Sequence, residues 1–287
     1  MNRLDAPSPP AAGDNIRILT SAKPPAITTT SLTRRFDTLL AVDQLDLSIE
    51  HGAIFGLLGP NGAGKSTTIK MLTTLLPASS GSARVAGFDV SRDPKRVRQA
   101  IGYVPQLVSA DGALTGRENM ALSAALYDIP RRARVGRVGE ALSFMGLGGA
   151  AGSLVRTYSG GMVRRLEIAQ ALLHNPVVLF LDEPTIGLDP IARHAVWDRL
   201  LESRRQFETT ILITTHDMEE ADTLCDVLAV MHQGRIAAQG SPAELKQRAG
   251  GDATLDDVFA KFAGSAIADD GSFRDINRTR RTASRLG

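Results

Sequence analysis

No stretch of the chain approaches the eighteen or so consecutive apolar residues that a membrane-spanning helix needs. The N-terminal segment also lacks the apolar core of a secretory signal. Any pore is therefore expected from another chain. The single cysteine, Cys225, excludes an intrachain disulfide and suits the cytoplasm. It sits in MEEADTLCDV, whose pattern predicts a helix carrying a half-buried thiol that packs rather than reacts. A net charge of +2 gives no electrostatic case for a nucleic-acid partner, and none is expected. Internal repeats are lacking as well. What remains is 287 residues with 43% hydrophobic content, enough for a sizeable core and best read as one α/β unit with a helical insertion.

The most informative stretch is GPNGAGKST, comprising Gly59, Pro60, Asn61, Gly62, Ala63, Gly64, Lys65, Ser66 and Thr67. The apolar run Ala53 to Leu58 ahead of it reads as a buried strand. Behind it, Ile69, Leu72, Leu75 and Leu76 recur at helical spacing and predict a helix from Thr67 to Leu76. Strand, glycine loop and helix form the setting of a phosphate-binding P-loop. The glycines permit positive dihedrals and close backbone approach, so successive N–H groups and the positive helix end face the phosphates. Lys65 is expected to reach the β- and γ-phosphates, Ser66 to ligate Mg²⁺ and Thr67 to support the α-phosphate. Many unrelated ATPases and GTPases carry such a loop, so alone it says only that a nucleoside triphosphate binds.

Val177 to Leu181 is a five-residue apolar run ending in Asp182 and Glu183. A central parallel strand delivers acids to the carboxyl edge of a sheet in this way. Asp182 is placed to hold Mg²⁺ through its water shell, and Glu183 to polarise the water that attacks the γ-phosphate. Just upstream lies YSGG, with Ser159 set as an N-cap before the helical pattern Met162, Leu166, Ala169, Leu172 and Leu173. On its own such a tripeptide is a turn and a cap. Its position between the P-loop and the acidic strand gives it a functional reading.

In this order, P-loop, YSGG and VVLFLDEP resemble the nucleotide-binding subunit of ATP-binding cassette (ABC) transporters, over nearly all of Ile27 to Gly240. The resemblance implies that the nucleotide is ATP, and that Ser159, Gly160 and Gly161 act in trans, on nucleotide held by the P-loop of a second cassette, so a homodimer is expected. It further implies that Gln106, in YVPQ, reaches Mg²⁺ and the attacking water. Asp189, in GLDP, crosses to the opposite cassette, and His216 bonds the γ-phosphate. Phe36 holds the place of the aromatic that stacks on adenine, although a phenylalanine near an N-terminal strand also reads as core. His51, His174, His194 and His232 read as surface or capping residues. Tyr158 and Met162 depart from the commoner LSGGQ pattern, but the serine and glycines are intact, and hydrolysis is expected.

The implied fold is an α/β P-loop cassette with a mixed core sheet, an N-terminal antiparallel β subdomain and a helical subdomain. Residues 1–26, rich in proline and alanine, read as a disordered extension. Residues 27–240 form the ATPase domain, within which about 112–173 is the helical subdomain that usually meets the membrane subunit. Leu45, Leu47 and Ile49 alternate with polar residues as in a half-buried strand. Ser241, Pro242 and Glu244 open a C-terminal helical extension, 241–264, with a capping box. Within it, TLDDVF together with YSGGMVRRLEIA resembles the daunorubicin-type drug-resistance branch. Its apolar face, Leu255, Val258, Phe259 and Phe262, packs either on its own domain or on a partner. Residues 265–287 form a basic tail, solvated or touching anionic lipid.

The resulting expectation is an ATPase motor on the cytoplasmic face of the membrane, driving an exporter through a separately encoded transmembrane permease. An importer motor shares every catalytic residue. Non-membrane ABC ATPases acting on DNA or the ribosome carry long coiled coils or two cassettes per chain, and both features are lacking here.

Overall fold

The structure, a computed structural model, describes residues 24–268. Of the expected extension 1–26, residues 1–23 lie outside the described residues, and so do residues 269–287 of the expected tail 265–287, whereas 265–268 continue the last helix. The first strands, β1 (Ile27–Phe36) and β2 (Leu39–Ile49), pair antiparallel. Ala26 is already buried, its N–H bonded to Ile49 O. The next strand, β3 (Ile54–Leu58), runs through the glycine loop into α1 (Lys65–Leu72). Two strands that follow, β4 (Ser80–Val85) and β5 (Phe88–Asp89), complete a four-stranded antiparallel sheet in the order β2-β1-β4-β5.

After α2 (Pro94–Ala100) and β6 (Ile101–Val104) come the helices α3 (Gly116–Leu126), α4 (Arg131–Phe144) and α5 (Gly160–Leu172). Strands then alternate with helices: β7 (Val178–Asp182), α6 (Pro190–Phe207), β8 (Thr210–Thr215), α7 (Met218–Leu224), β9 (Val227–His232) and β10 (Arg235–Gly240). The described chain closes with α8 (Pro242–Ala249) and α9 (Leu255–Ala268). The second sheet has the order β10-β9-β3-β8-β7-β6 and is parallel except for β10, so it is mixed as expected.

Both faces of this sheet are covered, which explains the unbroken apolar runs of β3 and β7. Alternate residues serve opposite layers. Phe55, Leu57, Val178, Phe180 and Leu212 join the antiparallel sheet and α1 in one core. Ile54, Leu58, Leu179, Leu181, Ile211 and Ile213 join the helical side in the other.

Two local expectations need correction. First, α1 ends at Leu72 rather than Leu76. Thr74 adopts a left-handed conformation, and the bonds Thr74 N to Met71 O and Leu75 N to Lys70 O close a Schellman motif. The apparent i,i+3 step from Leu72 to Leu75 falls beyond the turn, and Leu75 is exposed. Second, Cys225 is not within a helix but caps the end of α7 in extended conformation, and it is buried rather than half-buried. Burial pushes its thiol pKa up, so it is an unreactive packing group.

The capping box at Ser241 is present, with Glu244 N bonded to Ser241 Oγ (3.2 Å) and Ser241 N to Glu244 Oε2 (2.8 Å). Leu255 and Val258 of α9 are buried in the helical-side core, and Phe259 and Phe262 pack partly against it, so the LDDVF face lies on its own domain. Leu255→Ala is accordingly expected to destabilise the protein by about 2–5 kcal/mol, the usual range for deleting a core leucine. Chemical denaturation checks this, and a loss below about 0.5 kcal/mol, typical of a surface site, contradicts the packing.

Candidate functional site

The glycine loop needs its glycines for two different reasons. Gly62 and Gly64 have φ of +83° and +104°, where side-chain-bearing residues are strained. At Gly59 the dihedral is ordinary, but a Cβ would collide with the Met231 carbonyl of the neighbouring strand. The loop opens into a cleft of about 630 Å³ that is lined by Phe36, Leu39, Leu40, Ala41, Pro60 to Thr67, Gln106, Glu183 and Gln233. Phe36 is 39% exposed, so it stands at the cleft wall and not in the core. The Arg34 guanidinium sits 4.5 Å from its ring centroid, a cation–π contact that braces one side of the ring.

Lys65 is 4% exposed, with its ammonium held over the loop. It donates to Gly59 O (2.7 Å) and Pro60 O (3.1 Å) and lies 3.3 Å from Glu183 Oε1. Glu183 gathers the other candidates as well. Gln106 Nε2 donates to its Oε2 (3.3 Å), and His216 Nδ1 lies 3.3 Å from its Oε1. Three residues from three separate segments, Lys65, Gln106 and His216, thus converge on one buried carboxylate. Glu183 itself has φ of +48°, and its N–H bonds to Thr214 O at 3.1 Å.

Asp182 accepts from Ser66 Oγ (2.9 Å) and from Thr214 Oγ1 (2.6 Å). Asp182 and Ser66 are hard oxygen donors at contact distance, which fits Mg²⁺. Among the described residues no cluster of three or more His, Cys, Asp or Glu side chains could hold a metal by itself. A Mg²⁺ here would need nucleotide phosphates and water to complete its octahedron, the usual arrangement for this ion. Nearby Tyr103 has its pKa raised to about 12, first by burial and then by the Asp182 charge.

Ser159 caps α5 by accepting from Met162 N (3.3 Å), and Asp189 caps α6 by accepting from Ala192 N (2.9 Å). Gly161 lets the two helix starts touch: a Cβ there would come within 2.7 Å of Ala192 Cβ. Ser159 and Gly160 are exposed, and none of Ser159, Gly160, Gly161 or Asp189 lines the P-loop cleft of its own chain.

Several residues around the site were not singled out from sequence. Thr214 fixes Asp182. Beneath the site, Glu220 is 1% exposed and accepts from Thr185 Oγ1 (2.7 Å) and Trp197 Nε1 (3.0 Å). This carboxyl ties the segment after Glu183 to α6 and to the segment of His216. Burial raises its pKa more than these hydrogen bonds lower it. His174, read as a surface or capping residue, is instead half-buried: it stacks on Tyr127 at 3.8 Å and bonds to Ile101 O (2.9 Å).

The family model described as "ABC transporter" matches residues 42–186. The daunorubicin/doxorubicin resistance ATP-binding protein DrrA of Streptomyces peucetius is 46% identical over 225 residues, covering 78% of this chain and 68% of that protein. The phospholipid-transporting ATPase ABCA3 of Homo sapiens is 47% identical over 212 residues, covering 74% of this chain but 12% of that protein. Among solved structures, the ATP-binding subunit of an ABC transporter superposes with a TM-score of 0.74 at 28% identity, over 83% of this chain and 99% of that one.

Glu220 gives a pH prediction. Its folded pKa lies above its ordinary value of 4.5, so the folded protein keeps a proton that the unfolded chain releases. Its contribution to stability is therefore greatest below 4.5 and is lost as pH rises through the raised folded value. Glu220→Gln keeps an Oε1 acceptor for Trp197 and Thr185 and removes the titration. The melting temperature of the variant, relative to the unmodified protein, is expected to climb with pH across this window. Thermal scans between about pH 5 and 8 check it, and a constant difference rules it out.

Proposed function

The chain belongs to the ATP-binding cassette transporter family as an ATP-hydrolysing cassette, and from that premise we propose that it is the motor subunit of an exporter, working as a nucleotide-sandwich dimer. The observation that carries the reading is that the candidate residues fall into two separate groups. Lys65, Ser66, Asp182, Glu183, Gln106 and His216 gather at the P-loop cleft, whereas Ser159 and Asp189 sit on exposed helix starts that do not line it. A helix N-terminus that does not face the phosphate site of its own chain is free to offer its N–H groups to an anion held by a second chain.

In this reading the P-loop N–H groups and Lys65 hold the phosphates of ATP, and Phe36 supports the adenine. Ser66 and Asp182, with Gln106, would hold Mg²⁺, which neutralises phosphate charge when bound. Glu183 takes a proton from the attacking water, and Gln106 and His216 keep its carboxylate and the γ-phosphate in line. Asp189 and the Ser159 helix start complete the site of the sister cassette. Closing on ATP is the stroke, and hydrolysis is the reset.

Export is supported by the drug-resistance relative and by the YSGGM and TLDDVF stretches. No helix among the described residues is long and apolar enough to cross a membrane, in keeping with a separately encoded permease that holds the motor at the cytoplasmic face. The docking surface is the Gln106 loop and α3, where Leu107 is 81% exposed and Leu122 and Leu126 are exposed as well.

Glu183→Gln is expected to retain ATP binding, lose turnover by about 10²-fold or more, and accumulate an ATP-bound dimer. Adding Ser159→Arg should abolish that dimer. Single-turnover hydrolysis and light scattering decide it, and a dimer indifferent to Ser159→Arg refutes action in trans. For the permease, a tagged chain is recovered from detergent-solubilised membranes. Leu122→Asp with Leu126→Asp should sever the permease and export while ATPase activity stays within about two-fold. Recovery only with ribosomes or DNA overturns the transporter reading, and substrate accumulation instead of efflux converts it to an importer.

A further inference from the structure

An arginine and a glutamate three residues apart on a helix normally form a weak surface pair worth a few tenths of a kcal/mol. Arg164 and Glu167 of α5 are different, being 5% and 3% exposed, with Arg164 Nη1 at 3.0 Å from Glu167 Oε2. Taking both charges out of water is costly unless further hydrogen bonds satisfy them. Those further bonds all go to one irregular segment, residues 105–109. Arg164 donates to Pro105 O (2.8 Å) and to Gln106 O (3.1 Å). Glu167 Oε1 accepts from the N–H of Ser109 and from Ser109 Oγ (2.9 Å). The loop is thus gripped on both sides of Gln106, while Leu107 and Val108 between the grips are exposed. Gln106 reaches Glu183 only through a 3.3 Å contact, so its placement depends on how its backbone is held.

We propose that the buried Arg164–Glu167 pair is a positioning device for Gln106, coupling it rigidly to the helix that begins at Ser159. Arg164 follows Ser159 by five residues, about 7.5 Å along the helix axis. Gly161, between them, is packed against Ala192 at the start of α6, so α5 moves as one body with the Asp189 cap. A shift of the Ser159 end when it meets nucleotide on the sister cassette is then transmitted to the Gln106 of its own site. This second half rests on the paired-cassette reading above. The first half, placement of Gln106 within one chain, does not.

The test is steady-state kinetics on the full chain with Arg164→Met, Arg164→Lys and Glu167→Gln, alone and combined with Gln106→Ala. Arg164→Met is expected to lower kcat about ten-fold or more while KM for ATP changes less than about two-fold, because the P-loop is untouched. Arg164→Lys keeps the charge and one carbonyl contact and should recover part of the loss. In a Gln106→Ala background, Arg164→Met should change kcat by less than about two-fold, the non-additivity expected of residues acting as a unit. On the paired-cassette reading ATP hydrolysis is expected to be positively cooperative, and that cooperativity should fall in Arg164→Met. Wild-type kcat in Arg164→Met, or fully additive losses with Gln106→Ala, overturns the positioning role. Should Arg164→Met fail to fold, the same comparison made with Arg164→Lys and Glu167→Gln decides it. If the Glu183→Gln dimer never forms, the paired-cassette reading fails while the kcat and additivity outcomes still judge the placement of Gln106. If that dimer forms and cooperativity is unchanged, transmission between sites is refuted.

Discussion

Leu58 lies opposite Thr215, and Asp182 lies opposite Thr214, so the backbone ladder of β3, β8 and β7 brings three chain ends level at one edge of the sheet. From the first end the glycine loop departs, from the second come Thr214 and His216, and from the third Asp182 and Glu183. A slip of one residue in either pairing would invert every side chain between the two cores and separate Asp182 from Ser66. The chemistry at the P-loop is therefore fixed by main-chain hydrogen bonds between strands that are apolar on both faces. Helices on one side and the antiparallel sheet on the other hold that register by burying it.

Much of this was readable from residue order. An apolar run of five closed by two acids admits few interpretations besides a central strand. A glycine loop between such a strand and a helical pattern likewise signals where phosphates go. Alternation located β2, and Ser241 with Glu244 located α8. The reading failed where helix ends depend on a single dihedral. Leucines at 75 and 76 continue the helical period, yet the left-handed residue at Thr74 turns the chain before them. Cys225 fell one residue beyond its helix for a similar reason.

Less legible were the groups that orient the chemistry rather than perform it. Arg164 and Glu167 read as an ordinary i,i+3 charge pair, and nothing in their spacing tells that a loop some sixty residues upstream covers them. Glu220 belongs to an acidic helix start that suggests solvent, whereas Trp197 and Thr185 enclose it. Thr214 had a faint signal, a hydroxyl at the carboxyl end of a buried strand where apolar residues dominate. Phe36 could be assigned to wall or core only once its neighbours in space were known, and the Arg34 guanidinium over its ring is one of them.

The left-handed backbone at Glu183 bears on how such proteins can diverge. That conformation is reached most readily by glycine, and then by asparagine or aspartate, while β-branched residues are excluded. If Glu183 has the role proposed above, glycine and asparagine, which would remove its proton acceptor, are thus among the substitutions the main chain accepts with least strain. On the paired-cassette reading proposed above, a gene duplicate of this chain could lose hydrolysis at its own P-loop and still fold, dock and present an intact Ser159 helix to its sister. In that reading an asymmetric pair, with one working site and one that only binds, lies a single residue change away from a symmetric one.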